Sequence, residues 1–185
     1  YQYQQPESHR SYTLGKTKAI HRNLNLEIDD TINDIIFPPL QKIFPDFKVD
    51  TGSFLTSQFP YGLHNDTNKY HSDLNLTKEK QIKYDSAVLI PLTQEPSHKT
   101  IFFDYYNDLI DKTVLSNGPE IQNDLDLEIK HLSETDQLIL KRVKISEIYE
   151  WKVGDIVTWP RNQLHCAGDH TASGVFKQAI VIFIL

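Results

Sequence analysis

Apolar residues at Leu24, Ile28, Ile32, Ile35, Ile36, Leu40 and Ile43 recur at spacings of mostly three and four, which predicts a helix over residues 24–44 with one buried face. Asp30 and Asp34 fall on its polar side. Pro38-Pro39 removes helical donors and predicts an interruption or a kink. Beyond Gly52 the period shortens. Runs of apolar and β-branched residues bounded by turn formers predict strands at 53–59, 85–92, 100–104, 125–129, 138–143, 155–159 and 175–185. Two of these, Ala87-Val88-Leu89-Ile90-Pro91-Leu92 and Ala179-Ile180-Val181-Ile182-Phe183-Ile184-Leu185, are apolar on both faces and belong in the middle of sheets. Residues 112–134, rich in Asp and Asn around Asn117-Gly118-Pro119, predict a loop or lid. A helix followed by many short strands predicts a mainly β domain with N-terminal helices, the helical layer lying in residues 1–50 and a sandwich or barrel in residues 51–185.

With 185 residues the chain is expected to be a single domain, 1–185, able to bury its own core. Cys166 is the one cysteine, so no internal disulfide forms and a reducing compartment is expected. No apolar run reaches the roughly 20 residues that span a bilayer, and Tyr1-Gln2-Tyr3-Gln4-Gln5-Pro6 does not read as a signal peptide. A cytoplasmic protein is the expectation. The net charge of −6 disfavours a nucleic-acid partner, whose phosphates draw affinity from clustered Lys and Arg. The short basic stretch at Lys16, Lys18, His21 and Arg22 reads as solvated surface. A small molecule or a peptide is the expected substrate class.

Candidate chemistry centres on Tyr61-Gly62-Leu63-His64-Asn65-Asp66-Thr67. In an extended backbone, residues two apart share a face, so His64 and Asp66 can grip one ion while Asn65 points away. The pattern also occurs at His71-Ser72-Asp73, but there it stands among Asn, Lys and Glu residues typical of a solvated loop. The run Phe54-Leu55-Thr56-Ser57-Gln58-Phe59-Pro60-Tyr61 offers the first pair a rigid platform, so His64 and Asp66 are preferred. Asn65 and Asn75 head Asn-x-Thr sequons, and a glycan on Asn65 would cover the pair, which further disfavours secretion.

With these segments placed, the chain resembles the 2-oxoglutarate and Fe(II)-dependent oxygenases, in particular their prolyl 4-hydroxylase-like branch. Tyr61-Gly62-Leu63-His64-Asn65-Asp66 is similar to that branch's Tyr-x-x-His-x-Asp, and Trp151-Lys152-Val153-Gly154-Asp155-Ile156-Val157-Thr158-Trp159 is similar to the strand approaching its distal histidine. Gly174-Val175-Phe176-Lys177 resembles the lead-in to its cationic residue. The resemblance implies a double-stranded β-helix (jelly-roll, cupin-like) over residues 50–185. It also implies Fe(II) held by His64, Asp66 and His165, with Lys177 binding the far carboxylate of 2-oxoglutarate. The implied reaction couples oxidative decarboxylation of 2-oxoglutarate, releasing succinate and CO₂, to hydroxylation of a C–H bond, and the presence of Asp66 favours hydroxylation over halogenation. Two imidazoles and one carboxylate suit ferrous iron and leave positions for the 2-oxo acid and O₂. Arg161 and Lys83 are rival cations for the far carboxylate, and Phe54 stands where some relatives carry a second tyrosine. Cys166 reads as a small core residue, Trp151 and Trp159 as core or pocket wall, and His98, His131 and His170 receive no role. The alternative reading is a non-catalytic cupin-like domain that holds a ligand or partner without turnover.

Overall fold

A computed structural model describes residues 9–14, 17–23, 30–67, 85–107, 115, 117–121 and 131–185. Nine antiparallel strands form two sheets among these residues. The strands are β1 His9–Leu14, β2 Thr17–Asn23, β3 Val49–Ser57, β4 Ser86–Pro91, β5 Lys99–Tyr106, β6 Ile145–Glu150, β7 Val157–Pro160, β8 Gln163–Ala167 and β9 Lys177–Ile184. The larger sheet has the order β1-β2-β3-β9-β4-β7 and the smaller β6-β5-β8. Helix α1, Asp30–Ile43, precedes β3, and α2, Glu134–Leu140, precedes β6.

Side-chain alternation divides the molecule into layers. Along β9, Ala179 joins Ala87 and Leu89 of β4, Phe102 of β5 and Trp159 of β7 in a core between the two sheets. Ile180, Ile182 and Ile184 face the other way, where Val88 and Ile90 also lie, and are covered by Ile36 and Leu40 of α1. Burying such aliphatic side chains stabilises by about 1.5–3 kcal/mol each, which holds the helix to the outer face of the sheet. On the smaller sheet the outward Ile101, Phe103, Leu164 and Cys166 pack against Ile139 and Leu140 of α2. β8 is buried throughout, so its two faces serve two different environments: Leu164 and Cys166 the helix, His165 the interior. No helix among the described residues is long and apolar enough to cross a membrane.

Three irregularities aim side chains. β3 carries a register shift between Val49 and Thr51, and the extra residue, Asp50, is directed to the Arg161 guanidinium at 2.9 Å. Pairing of β5 with β8 is interrupted between Phe102 and Tyr106, and there the Gln163 amide donates to the Phe103 carbonyl at 3.2 Å in place of the ladder. Gly168 passes so close to β5 that a Cβ would meet Lys99 Cβ at 3.1 Å, while its N–H bonds the Lys99 carbonyl at 3.0 Å.

Several expectations need correction. The range 1–50 is not solely a helical layer: β1 and β2 form a hairpin that extends the sheet through pairing with β3. Strand β2 satisfies the backbone edge of β3. Helix α1 is not interrupted at Pro38-Pro39, because Ile36 and Leu40 remain seated on the sheet and tertiary burial outweighs the missing donors. The strand expected at 138–143 is instead the end of helix α2, through Leu140, and the turn that follows it. Ser133 caps it by accepting the Asp136 N–H at 3.2 Å, and Leu132, Ile139, Leu140 and Val143 share the buried face at helical spacing. The strand expected at 125–129, most of the 112–134 loop, His71, Asp73 and Lys83 lie outside the described residues.

Candidate metal centre

Residues 61–66 lie on the free side of β8 and add a further short rung to the smaller sheet. His64 and His165 exchange both backbone hydrogen bonds, at 3.0 and 2.9 Å. Flanking bonds run from the Ala167 N–H to the Tyr61 carbonyl at 3.1 Å and from the Asp66 N–H to the Arg161 carbonyl at 2.8 Å. Residues directly opposite each other in an antiparallel pair project to the same face, so this one backbone exchange sets two imidazoles side by side. Their ring centroids are 4.3 Å apart. Asp66, two residues on, returns to that face, while the Asn65 amide turns to the Asn107 carbonyl at 2.5 Å.

One ligand atom from each of His64, Asp66 and His165 lies within 4.8 Å of the others. His64 Nδ1 is 2.7 Å from the Gly62 carbonyl and His165 Nδ1 is 2.9 Å from the Gln163 carbonyl. A carbonyl only accepts, so each Nδ1 carries a proton, and a ring in its neutral form presents an Nε2 lone pair to the shared space. There, His165 Nε2 faces Asp66 Oδ2 at 3.4 Å and His64 Nε2 faces Asp66 Oδ1 at 3.9 Å. Lone pairs aimed at a carboxylate repel it unless a proton or a metal ion stands between them. A proton on His165 is opposed by its burial, which lowers its pKa to about 4 although the Asp66 charge pulls the other way. Three acceptors facing a common point with no donor between them therefore fit a divalent cation.

The carboxylate is itself held. Trp159 Nε1 donates to Asp66 Oδ2 at 3.0 Å, and the Trp159 ring stands edge-on to His165 at 5.3 Å. Arg161 Nε donates to the Asp66 carbonyl at 3.2 Å. The same Nε lies 3.4 Å from Asp85 Oδ1, Nη1 donates to Asp50 Oδ2 at 2.9 Å, and the guanidinium lies over the Phe183 ring at 4.7 Å. Arg161, a rival cation in the sequence, is thus committed to two carboxylates and to the backbone of the HxD segment. No local pattern flags these two supports, which lie 93 and 95 residues from Asp66.

Lys177, the first residue of β9, is 4% exposed and enters the interior on the same parity as Ala179 and Val181. Its ammonium donates to the Lys99 carbonyl at 2.6 Å and lies 3.9 Å from the centre of the Trp151 ring. Among the described residues no carboxylate pairs with it. Burial lowers its pKa to about 7, with a weaker opposing pull from Cys166. Its charge is near enough to oppose protonation of His165. Cys166 faces the α2 side, where burial raises its pKa to about 12, and takes no part in the cluster. Trp151 and Trp159, expected as core or wall, are both buried and both line the site.

No family model matches the chain, and no curated protein matches it. Its fold is shared with solved structures. The non-heme alpha ketoglutarate dependent epimerase SnoN from nogalamycin biosynthesis is 9% identical, with a TM-score of 0.58 over 97% of this chain and 66% of that one. The non-heme alpha ketoglutarate dependent carbocyclase SnoK is 12% identical, with a TM-score of 0.56 over 96% of this chain and 68% of that one. EvdMO1 is 14% identical, with a TM-score of 0.57 over 98% of this chain and 39% of that one. A structure of SnoN holds Fe3+, alpha ketoglutarate and nogalamycin RO. The chain thus spans about two thirds of the epimerase and the carbocyclase and less than half of EvdMO1.

Proposed function

We propose that this chain is a 2-oxoglutarate and Fe(II)-dependent oxygenase with a double-stranded β-helix core, in which His64, Asp66 and His165 hold the iron and Lys177 binds the far carboxylate of the cosubstrate. The observation that carries the reading is the donor-free meeting of two imidazole lone pairs and one carboxylate, with a lysine buried in the same interior away from any carboxylate among the described residues. Neither feature alone is specific to such an enzyme. Together they match the two ends of a 2-oxo dicarboxylate, one chelating a metal and the other requiring a buried cation. The shared fold with SnoN and SnoK supports the reading, since both are alpha ketoglutarate dependent non-heme enzymes.

Iron bound here would supply O₂ activation coupled to decarboxylation of the 2-oxo acid. The protein's own contribution is placement and protection. The Gly62 and Gln163 carbonyls fix the imidazole tautomers, and Trp159 fixes the carboxylate. Phe102, Trp159 and Trp151 exclude water from the inner wall, so a reactive centre meets the bound substrate and not solvent. The substrate reaches the site from the His64 side, where the side chain is 30% exposed against 6% for His165. Hydroxylation of a small molecule or a peptide is the reaction we assign; the prolyl 4-hydroxylase-like subtype is one form of it. The test is anaerobic addition of Fe(II) and then 2-oxoglutarate, followed through the visible charge-transfer band of the chelate. A band that requires both additions and is lost in Asp66→Ala supports the reading; iron binding with no effect of 2-oxoglutarate leaves a metal-dependent enzyme of another kind, and no iron binding leaves the non-catalytic binding domain.

A further inference from the structure

Two histidines that the metal cluster does not use are deeply buried near Lys177. His98 is 0% and His170 1% exposed, and their rings meet edge to face with centroids 5.6 Å apart. Both are joined to the lysine through very few bonds. His98 precedes Lys99, whose carbonyl receives the Lys177 ammonium at 2.6 Å and the Gly168 N–H at 3.0 Å. The Gly168 carbonyl in turn lies 3.4 Å from His170 Nδ1. On the other side, His98 Nδ1 is 3.3 Å from Thr93 Oγ1, which accepts the Gln178 N–H at 2.9 Å. The Trp151 ring lies beneath the Lys177 ammonium and 6.0 Å from His98.

The second nitrogen of each ring is not satisfied. His98 Nε2 and His170 Nε2 are buried without a hydrogen-bond partner among the described residues, although the carbonyls of Val175 and Ser57 stand near enough to favour a protonated ring. Buried polar nitrogens are rarely left this way, because each forfeits its bonds to water. An anion would repair both, accepting from His98 Nε2 and from a His170 ring that takes up a second proton on Nε2, since the Gly168 carbonyl already calls for one on Nδ1. Three basic side chains buried together also oppose one another's protonation, and burial with the nearby Lys177 lowers the pKa of both histidines, His170 to about 4. The acidic groups bearing on them are peripheral: Glu95 from the β4–β5 loop towards His98, and Asp169 from the β8–β9 loop beside His170 and His131. None forms an ion pair with Lys177 among the described residues.

Resting on the oxygenase reading, we propose that His98 and His170 complete the pocket for the far carboxylate of the cosubstrate, donating imidazole N–H groups to it beside the Lys177 ammonium. The pocket is then selective for a 2-oxo acid that carries a second carboxylate, because only that group reaches all three donors. Bringing an anion among mutually discouraged bases favours their charged forms, so the dicarboxylate binds with net proton uptake above neutral pH.

The experiment compares 2-oxoglutarate with pyruvate, which keeps the chelating 2-oxo acid and lacks the far carboxylate. Anaerobic titration of the Fe(II)-loaded protein, followed by the chelate band, is run on wild type, His98→Leu, His170→Leu and the two glutamine variants. Each leucine variant should weaken 2-oxoglutarate about tenfold while leaving iron content and pyruvate binding unchanged. Glutamine, which keeps an N–H donor, should recover part of the loss. In the Zn(II)-loaded wild type, the imidazole Cε1–H resonances of these two histidines should shift with 2-oxoglutarate and stay in place with pyruvate, a measurement that decides the matter even where a leucine variant fails to fold. Leucine variants that bind 2-oxoglutarate as wild type does, or resonances that ignore it, overturn this inference and leave the oxygenase reading standing. A wild-type protein that takes up iron and forms no chelate overturns both.

Discussion

Replacing Trp159 with Phe isolates the hydrogen bond that orients the candidate metal carboxylate. The indole Nε1 donates to Asp66 Oδ2 at 3.0 Å, and that oxygen also faces His165 Nε2 at 3.4 Å. Phenylalanine keeps an aromatic ring against Phe102 and His165, which lie 5.2 and 5.3 Å from the indole, and removes the donor. A hydrogen bond to a charged acceptor is worth about 1.5–3 kcal/mol, and supports of this kind behind a metal ligand typically change affinity by about 10–100-fold. We therefore expect Trp159→Phe to weaken Fe(II) by about 10–100-fold in anaerobic competition against a chelator. Because the smaller ring also leaves space in the core, stability should fall by roughly 0.5–3 kcal/mol, measured on the metal-free protein by urea unfolding. Phe102→Leu separates the two effects: it loosens the same packing without touching the carboxylate, and should cost stability with little change in metal affinity. Trp159→Phe holding iron as tightly as wild type would refute the reasoning, and so would Phe102→Leu weakening iron to the same degree.

Alanine at His64, Asp66 or His165 should abolish stoichiometric iron in metal analysis with circular dichroism nearly unchanged, whereas His71→Ala and Asp73→Ala should keep the metal; the opposite pattern would move the site to the second motif. Lys177→Ala should weaken 2-oxoglutarate by roughly 10–150-fold with Fe(II) affinity unaltered, and Lys177→Arg should restore part of it, as read from chelate titrations. The same lysine predicts a pH effect on the unliganded fold. Its folded pKa, about 7, lies below the ordinary lysine value of 10.5, so between these values the unfolded chain binds the extra proton and stability rises with pH. Lys177→Met should flatten that rise in unfolding curves taken from about pH 7 to 10, and should be more stable than wild type at neutral pH. Arg161→Met should be among the most damaging single changes, lowering stability by about 3–5 kcal/mol because the carboxylates of Asp50 and Asp85 lose this cation, and weakening iron through the freed Asp66 backbone; urea unfolding and metal analysis check the two effects.

The sequence alone determined those features that are written locally. Alternation and β-branching marked β3, β4, β5, β7 and β9 because a strand's two-residue period survives in any one window, and the doubly apolar runs lay in the middle of the larger sheet because both their faces are covered. His64 and Asp66 were legible for the same reason, since a spacing of two in extended chain means one face. β8 and α2 were not. Gln163-Leu164-His165-Cys166-Ala167 alternates weakly because its faces meet a helix and a polar site, and the apolar run from Leu138 to Val143 was decided by the Ser133 cap and by the α2 seat on the smaller sheet. Only tertiary structure set His165 opposite His64, delivered Trp159 and Arg161 to Asp66 from about 90 residues away, used a bulge to aim Asp50, and gathered His98, His170 and Lys177 around the Lys99 carbonyl. These are facts of register and crossing between distant segments. A sequence window records what a residue prefers to be near, whereas strand pairing decides which residues are near it.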